Sequence, residues 1–162
     1  MTSSLQGQRA PELSFQLPDG KLMPLHGPRE QALMLVVFHS GCPWCKAEMP
    51  KLSEALSRHS TLGVDIMGIA VGSDTAETAG AFAAERDLRF PIAVDATGAF
   101  RAAYPVSRVP SVIAINRDGT ILRVYEGWAE QLPGIVEHTV MSLARGDELP
   151  DYSLIGNGCA VG

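Results

Sequence analysis

ALMLVVFHSGCPWC, residues 32–45, is the stretch that decides the fold. Its first half, residues 32–38, is a continuous apolar run rich in leucine and valine, which is typical of a strand buried on both faces of a sheet. A helix is predicted to begin at about Pro43, and its apolar positions Cys45, Met49, Leu52 and Leu56 share one face. A buried strand that leads directly into an amphipathic helix indicates an α/β protein.

Strand and helix signals continue along the rest of the chain. Strands are predicted at residues 64–71, 90–94, 111–116 and 121–125, and helices at 74–87, 99–104 and 133–145. Asp74, with Glu77 three positions later, is an N-terminal capping pattern for the first of these helices. Strands joined by a helical crossover are parallel, whereas the last two, joined by a turn, should be antiparallel. The sequence therefore predicts an α/β sandwich with a mixed central sheet.

The two ends of the chain are expected to differ from this sandwich. Near the N terminus, Asp19 and Gly20 lie between short apolar segments, which predicts a β-hairpin over residues 13–25. Residues 147–162 show no periodicity and end in GNGCAVG, so we expect a flexible C-terminal tail. The folded domain is accordingly predicted to span residues 1–146.

Composition argues against several functional classes. The chain of 162 residues has a net charge of −5 without a block of like charges, which argues against a surface for nucleic acid or an anionic membrane. The longest purely apolar run, 32–38, is far below the ~20 residues that span a bilayer. The first thirty residues carry no secretory pattern, so we expect a cytoplasmic monomer or weak dimer; an export segment ahead of this sequence would change the location.

Cys42 and Cys45 form a C-x-x-C pair at the predicted start of a helix. The free N–H groups and partial positive charge of a helix N terminus favour thiolate, the form that attacks a disulfide. We therefore expect Cys42 to be the exposed nucleophile and Cys45, turned toward the core, to be the resolving cysteine. The alternative, a zinc site, normally needs four ligands, and no second C-x-x-C or H-x-x-H is present. A redox-active Cys42–Cys45 disulfide without a metal or another cofactor is predicted.

Four segments together resemble the thioredoxin superfamily, within it the branch of TlpA/ResA-like disulfide reductases and redoxin (AhpC/TSA-like) proteins. They are residues 7–17, the active-site turn 42–46 with Pro50, residues 104–111, and the strand and turn 112–119. The resemblance implies a thioredoxin-like three-layer α/β/α sandwich. It also implies that the Val109–Pro110 peptide bond is cis and faces Cys42. The backbone of Val109 would then be free to pair with an extended substrate.

The same resemblance assigns a role to Glu48, which follows Cys45 by three residues and lies on the same helix face. It matches the acid of the C-x-x-C-x-x-E-x-P pattern, for which the resemblance implies assistance in proton transfer; the alternative is an acid that favours a helix N terminus. Trp44 is either a platform for substrates or a shield for Cys45. His39 either stabilises the Cys42 thiolate or caps a strand.

The predicted function is thiol–disulfide exchange with thiols and disulfides of proteins or small molecules. The electrons for this reaction come from a donor that the sequence does not identify. One alternative is a thiol peroxidase, in which peroxide oxidises Cys42 to a sulfenic acid and Cys45 or Cys159 resolves it. The proline and threonine of the usual peroxidatic motif are missing upstream of Cys42. A second alternative is a non-catalytic thiol or metal-binding chaperone. Three roles are considered for Cys159: a third redox thiol, a disulfide link to another chain, or a cysteine without a function.

Overall fold

The computed structural model describes residues 4–58, 62–150 and 156–161. The strands are β1 (Ser14–Gln16), β2 (Leu22–Pro24), β3 (Ala32–Phe38), β4 (Val64–Ala70), β5 (Ile92–Val94), β6 (Arg108–Val109), β7 (Ser111–Ile115), β8 (Ile121–Glu126) and β9 (Cys159–Ala160). The helices are α1 (Pro43–Ser57), α2 (Ala76–Glu85), α3 (Ala99–Ala103) and α4 (Leu132–Arg145). The bounds of β3 and the first residue of α1 agree with those predicted from the sequence.

A five-stranded sheet with the order β5–β4–β3–β7–β8 forms the centre of the domain. The strand β3 pairs in parallel with β4 and antiparallel with β7, and every one of its residues is buried. The pair β4–β5 is parallel and the pair β7–β8 is antiparallel. The predicted mixed sheet is therefore confirmed, and its middle strand is the apolar run on which the prediction rested.

Helices and a hairpin surround this sheet. The helix α1 packs against α4, which also contacts β3 and β4, while α2 contacts β5. The strands β1 and β2 form the predicted N-terminal hairpin. Tyr104, just after α3, anchors the chain ahead of that hairpin by donating a hydrogen bond from its hydroxyl to the carbonyl oxygen of Pro11 at 2.6 Å. No helix in the described parts of the chain is both long and apolar enough to cross a membrane.

The register of β3 against β7 determines where the chemistry lies. Val37 is opposite Ser111, so the end of β3 lies beside the start of β7. The loop that leaves β3 leads to Cys42, and β7 is preceded by Val109 and Pro110. The pairing of these two strands therefore brings the C-x-x-C turn and the Val109–Pro110 segment together at one edge of the sheet.

The start of α2 differs from the prediction. Thr75, and not Asp74, is the N-cap, and its side chain and that of Thr78 form a capping box. The carboxylate of Asp74 instead accepts hydrogen bonds from the backbone N–H and the hydroxyl of Ser40, in the loop after β3. The prediction of Asp74 as the cap was wrong because the threonine next to it supplies the capping oxygen, which leaves the carboxylate for another element.

Of the tail 147–162 that was expected to be flexible, residues 151–155 and 162 lie outside the described residues, whereas residues 156–161 are held by backbone pairing. Residues 159–160 form β9, which pairs antiparallel with β6. Asn157 makes an isolated antiparallel bridge with Trp128. The physical reason is that β6 and the segment after β8 have backbone groups available for pairing, and the end of the chain binds them. A strand of two residues is too short to produce a periodic sequence pattern.

Because β3 is buried on both faces, we expect Leu35→Ala to lower the free energy of unfolding by about 2–5 kcal/mol. Leu35 is fully buried, whereas Leu22 in the hairpin is 68% exposed. The matched change Leu22→Ala should cost less than about 0.5 kcal/mol. Urea unfolding followed by circular dichroism measures both. Equal losses for the two variants would contradict the assignment of β3 as the central strand.

Candidate active site

Cys42 occupies the N-cap of α1, the position that the sequence predicted. Its backbone N–H donates to the carbonyl oxygen of His39 at 3.1 Å, and its own carbonyl oxygen accepts from the N–H of Lys46 at 2.9 Å. Pro43 is the first residue of the helix, where a missing N–H leaves no hydrogen bond unmade. The sulfur atom of Cys42 is thereby held at the positive end of a helix of 15 residues.

Cys42 is joined by a disulfide bond to Cys159, with the two Cα atoms 5.9 Å apart. Cys45 is a free, buried thiol, so the predicted Cys42–Cys45 disulfide is not the one that the structure contains. Cys42 is also only 2% exposed, in contrast to the predicted exposed nucleophile. The reason is the end of the chain, which brings Cys159 over the C-x-x-C turn.

The Val109–Pro110 peptide bond is cis and faces Cys42, as the family resemblance implied. The sulfur of Cys42 lies 3.8 Å from the carbonyl oxygen of Val109; since that sulfur is in a disulfide it carries no proton, and this is a packing contact. Val109 is paired with Cys159 in the β6–β9 ladder. The backbone of Val109, expected to receive an extended substrate, therefore receives the end of the same chain.

Cys45 is in an environment that opposes ionisation. Burial raises the pKa of its thiol to about 12; a hydrogen bond with the backbone of His39 acts in the opposite direction, and the negative charge of Asp74 adds to the increase. Cys45 is fully buried in the core. In this state of the protein the thiol is protonated at neutral pH, so an attack by Cys45 requires that its proton first be removed.

Asp74 is a residue of the site that sequence reasoning missed. It is 8% exposed, and it accepts hydrogen bonds from Ser40 and from the hydroxyl of Thr78 at 2.7 Å. These bonds join the start of α2 to the loop that carries Cys42. The sequence signal was present in the acid at position 74, but the same residue type is also a common helix cap, and the two roles are not distinguishable without the fold.

His39 binds neighbouring loops through both ring nitrogens. Its Nδ1 accepts from the backbone N–H of Gly41 at 3.1 Å, and its Nε2 is 3.1 Å from the hydroxyl oxygen of Ser73. The ring thus joins the loop before Cys42 to the loop after β4. These contacts give His39 a structural role in the shape of the site, and its effect on a Cys42 thiolate remains a prediction.

A cavity of about 580 Å³ lies against the Cys42–Cys159 disulfide. Residues that line it include His39, Ser73, Arg101, Val109 and Val161, together with both bonded cysteines. A thiolate must approach a disulfide closely to attack it. The cavity provides space beside the bond for such an approach.

A second surface depression lies beside Trp44, which is 36% exposed. Glu48 and Lys51 on α1 also line it and form an ion pair of 3.0 Å. The ammonium group of Lys51 is 5.7 Å from the ring centre of Trp128. Glu48 Oε2 is itself buried, so the carboxylate is largely removed from water on the same helix face as Cys45.

Among the described residues, no three His, Cys, Asp or Glu side chains lie together as a metal site would require. Cys42 is already bonded to another sulfur. The structure contains a disulfide, Cys42–Cys159, and a free thiol, Cys45, three residues after Cys42. This arrangement is suited to thiol–disulfide exchange.

Known proteins resemble this chain in both sequence and structure. Residues 5–136 match the Redoxin family. The thiol-disulfide oxidoreductase ResA of Bacillus cereus (strain ZK / E33L) is 29% identical over 134 residues, which are 81% of this chain and 76% of that protein.

Two solved structures test the fold. A hypothetical protein of Sinorhizobium meliloti 1021 has a TM-score of 0.82 at 17% identity, with 99% of this chain and 95% of that one covered. The thioredoxin domain of a thiol-disulfide oxidoreductase of Bacteroides vulgatus has a TM-score of 0.70 at 20% identity, with 85% and 99% covered. At these identities the similarity concerns the fold, and the predicted thioredoxin-like fold is confirmed.

If Asp74 holds the active-site loop, Asp74→Ala should lower the free energy of unfolding by about 1–3 kcal/mol, because the Ser40 donors lose their acceptor. The backbone amide of Ser40 should also exchange hydrogen faster, which mass spectrometry or NMR can follow. Asp147→Ala, at an exposed position after α4, is the matched control. Unchanged exchange at Ser40 in Asp74→Ala would contradict this role.

Proposed function

The chain belongs to the redoxin family, and we propose that Cys42 is the nucleophile and Cys45 the resolving cysteine of its thiol–disulfide oxidoreductase activity. One observation supports this most strongly. Cys42, at the N-cap of a helix and beside cis-Pro110, forms a disulfide with a cysteine on an extended strand that pairs with Val109. This has the form of the mixed disulfide through which exchange proceeds. The relatives named thiol-disulfide oxidoreductase ResA have the corresponding activity in their name.

The reaction on a substrate disulfide takes two exchange steps. The Cys42 thiolate attacks one substrate sulfur, the substrate S–S bond breaks, and the other substrate sulfur leaves as a thiolate that takes up a proton. The Cys45 thiolate then attacks the sulfur of Cys42 and releases the remaining substrate thiol. Two electrons pass from the Cys42–Cys45 dithiol to the substrate. An external thiol donor, of a kind still to be identified, reduces the resulting disulfide.

Glu48 is proposed as the group that accepts the proton of Cys45. The high pKa of the Cys45 thiol makes spontaneous ionisation rare at neutral pH. Glu48 is one helical turn further along α1, with a buried carboxylate oxygen and an ion pair to Lys51. A carboxylate on the same helix face as a thiol can accept its proton directly or through one water molecule.

Substrates are proposed to be proteins or small molecules that contain thiols or disulfides. The backbone of Val109 offers an edge for an extended peptide, and such an edge recognises main-chain groups more than side chains. Trp44 and the depression beside it are proposed to contact the substrate on the other side of Cys42. The Cys42–Cys45 couple itself is proposed as the redox centre, without an additional cofactor.

A thiol peroxidase is the second candidate, and the Cys42–Cys159 disulfide is the observation that favours it. Peroxide would oxidise the Cys42 thiolate to a sulfenic acid with release of water or an alcohol. The Cys159 thiol would then condense with it, forming the disulfide and releasing water. The exchange reaction leaves a Cys42–Cys45 disulfide and the peroxidase reaction a Cys42–Cys159 disulfide, and the two reactions also differ in their oxidant.

One preparation tests both candidates. We expect the wild-type protein to accelerate the reduction of insulin disulfides by dithiothreitol. Cys42→Ser should lower that rate to the uncatalysed level, because the nucleophile is lost. Cys45→Ser should accumulate a mixed disulfide with the substrate. Rapid consumption of hydrogen peroxide together with no effect on insulin would favour the peroxidase, and full insulin reduction by Cys42→Ser would contradict both mechanisms.

The role of Glu48 has a pH dependence with a definite sign. Below a pKa of about 12, the thiolate fraction of Cys45 rises tenfold per pH unit, so a resolving step without a base speeds up as the pH increases. Glu48→Gln should therefore slow insulin reduction by about 10²-fold at pH 7, and by much less at pH 9.

Glu54→Gln is the matched control, since Glu54 is on the same helix but is exposed and paired with Arg58. It should leave the rate within about twofold of wild type, as expected for a surface ion pair. A deficit of Glu48→Gln that is equal at pH 7 and pH 9 would indicate a structural role and contradict proton transfer.

A further inference from the structure

The last described residues, 156–161, lie in a groove between two segments of the domain. On one side, the β6–β9 ladder places Val109 opposite Cys159, and the backbone N–H of Val161 donates to the carbonyl oxygen of Ser107 at 3.2 Å. The guanidinium group of Arg108 donates to the carbonyl oxygen of Gly156 at 2.5 Å. This side of the groove is the edge at which the proposed function expects a substrate peptide.

On the other side, the groove is formed by the segment that follows β8. Asn157 and Trp128 exchange two backbone hydrogen bonds, of 2.8 and 2.5 Å. The N–H of Gly156 donates to the carbonyl oxygen of Glu126 at 3.2 Å. Backbone pairing on both sides fixes the register of the segment, so that Cys159, and no neighbouring residue, meets Cys42.

Two glycines allow this close approach. A Cβ atom at Gly158 would lie 2.6 Å from the carbonyl oxygen of Val109, and one at Gly156 would overlap the backbone of Trp128. Carbon atoms do not approach backbone oxygen so closely, so a side chain at either position would displace the segment. The groove therefore fits a cysteine that is preceded by glycine.

We propose that residues 156–161 are a substrate that the protein carries on its own chain, with Cys159 as a third redox cysteine. The inference rests on the proposed function, because it uses Cys42 as the nucleophile and Cys45 as the resolving thiol. The segment occupies the groove that an external peptide needs, so the two compete. External substrates of the same site are extended peptides in which glycine precedes the reacting cysteine.

The exchange needs no external oxidant or reductant. The Cys45 thiol loses its proton, and its thiolate attacks the sulfur of Cys42. The Cys42–Cys159 bond breaks as the Cys42–Cys45 bond forms, and Cys159 leaves as a thiolate that takes up one proton. One disulfide and one thiol are present before and after, so the step is an isomerisation of the oxidised protein and can run in both directions.

Disulfide mapping of the full chain is the first test. The protein is oxidised with the oxidised form of dithiothreitol, quenched in acid, alkylated after denaturation and digested with trypsin, which yields peptides 30–46 and 146–162 around the cysteines. We expect these peptides to be joined through Cys42 in a substantial fraction of the protein, and fragmentation identifies the linked cysteine. A Cys42–Cys45 disulfide alone, with Cys159 fully alkylated, would overturn the proposal.

The second test displaces the segment without removing a cysteine. In Gly158→Ala the fraction of joined peptides should fall, and insulin reduction below saturation should rise by roughly threefold or more, because a larger fraction of the protein has an open groove. Gly80→Ala in α2 is the matched control, since nothing lies within 4 Å of the added Cβ. Circular dichroism verifies that both variants fold. Equal joined fractions and rates in the two variants would overturn the proposal.

The third test supplies the segment from outside, which keeps the proposal testable even if Gly158→Ala fails to fold. The substrate is the disulfide-linked dimer of a peptide with the sequence of residues 157–161, used with Cys159→Ser protein. With dithiothreitol as the electron donor and the uncatalysed rate subtracted, it should be reduced with a kcat/KM about tenfold or more above that of the same dimer with alanine in place of its glycine. Equal values would overturn the predicted preference for glycine.

The outcomes separate this inference from the function on which it rests. If Cys42→Ser abolishes insulin reduction while the joined peptides and the glycine preference are both missing, the oxidoreductase assignment holds and the internal substrate does not exist. If Cys42→Ser retains insulin reduction, the proposed function itself fails.

Discussion

The antiparallel pairing of β3 with β7 is the constraint on which the site depends. With Val37 opposite Ser111, the chain that leaves β3 and the chain that enters β7 lie at the same edge of the sheet. Cys42 and Pro110 are thereby brought together from positions far apart in the sequence. Every residue of β7 is buried, so a shift of the register would disrupt close packing on both faces of the sheet, and this packing also maintains the geometry of the site.

At this edge of the sheet, two cysteines one helical turn apart have different surroundings. Cys42 is at the N-cap of α1, next to free backbone N–H groups, whereas Cys45 is inside the core, where burial raises its pKa to about 12. The difference comes from position along the helix and not from residue type. It is also the reason why the proposed function assigns the proton of Cys45 to Glu48, which is paired with Lys51 on the same helix.

The sequence was sufficient to predict the elements whose signal is local. The run 32–38 gave β3 its bounds, because burial on both faces requires an unbroken apolar segment. The role of Asp74 was missed, since its partner Ser40 is 34 positions away and the acid fits a helix cap equally well. The pairing of Cys159 with Cys42 spans 117 positions, and a two-residue strand adds no periodicity. Both features depend on contacts between distant positions, and local sequence patterns do not indicate such contacts.

Cys159 and Cys42 belong to the same chain, and this affects how the protein responds to the concentration of external thiols. Two groups held on one folded domain meet at an effective concentration on the order of millimolar, without any change in their intrinsic affinity. Residues 156–161 would therefore outcompete a peptide that has the same intrinsic affinity for the groove but a lower concentration. The protein would then act as a concentration filter: scarce thiols would leave its disulfide intact, and only abundant or tightly bound partners would exchange with it.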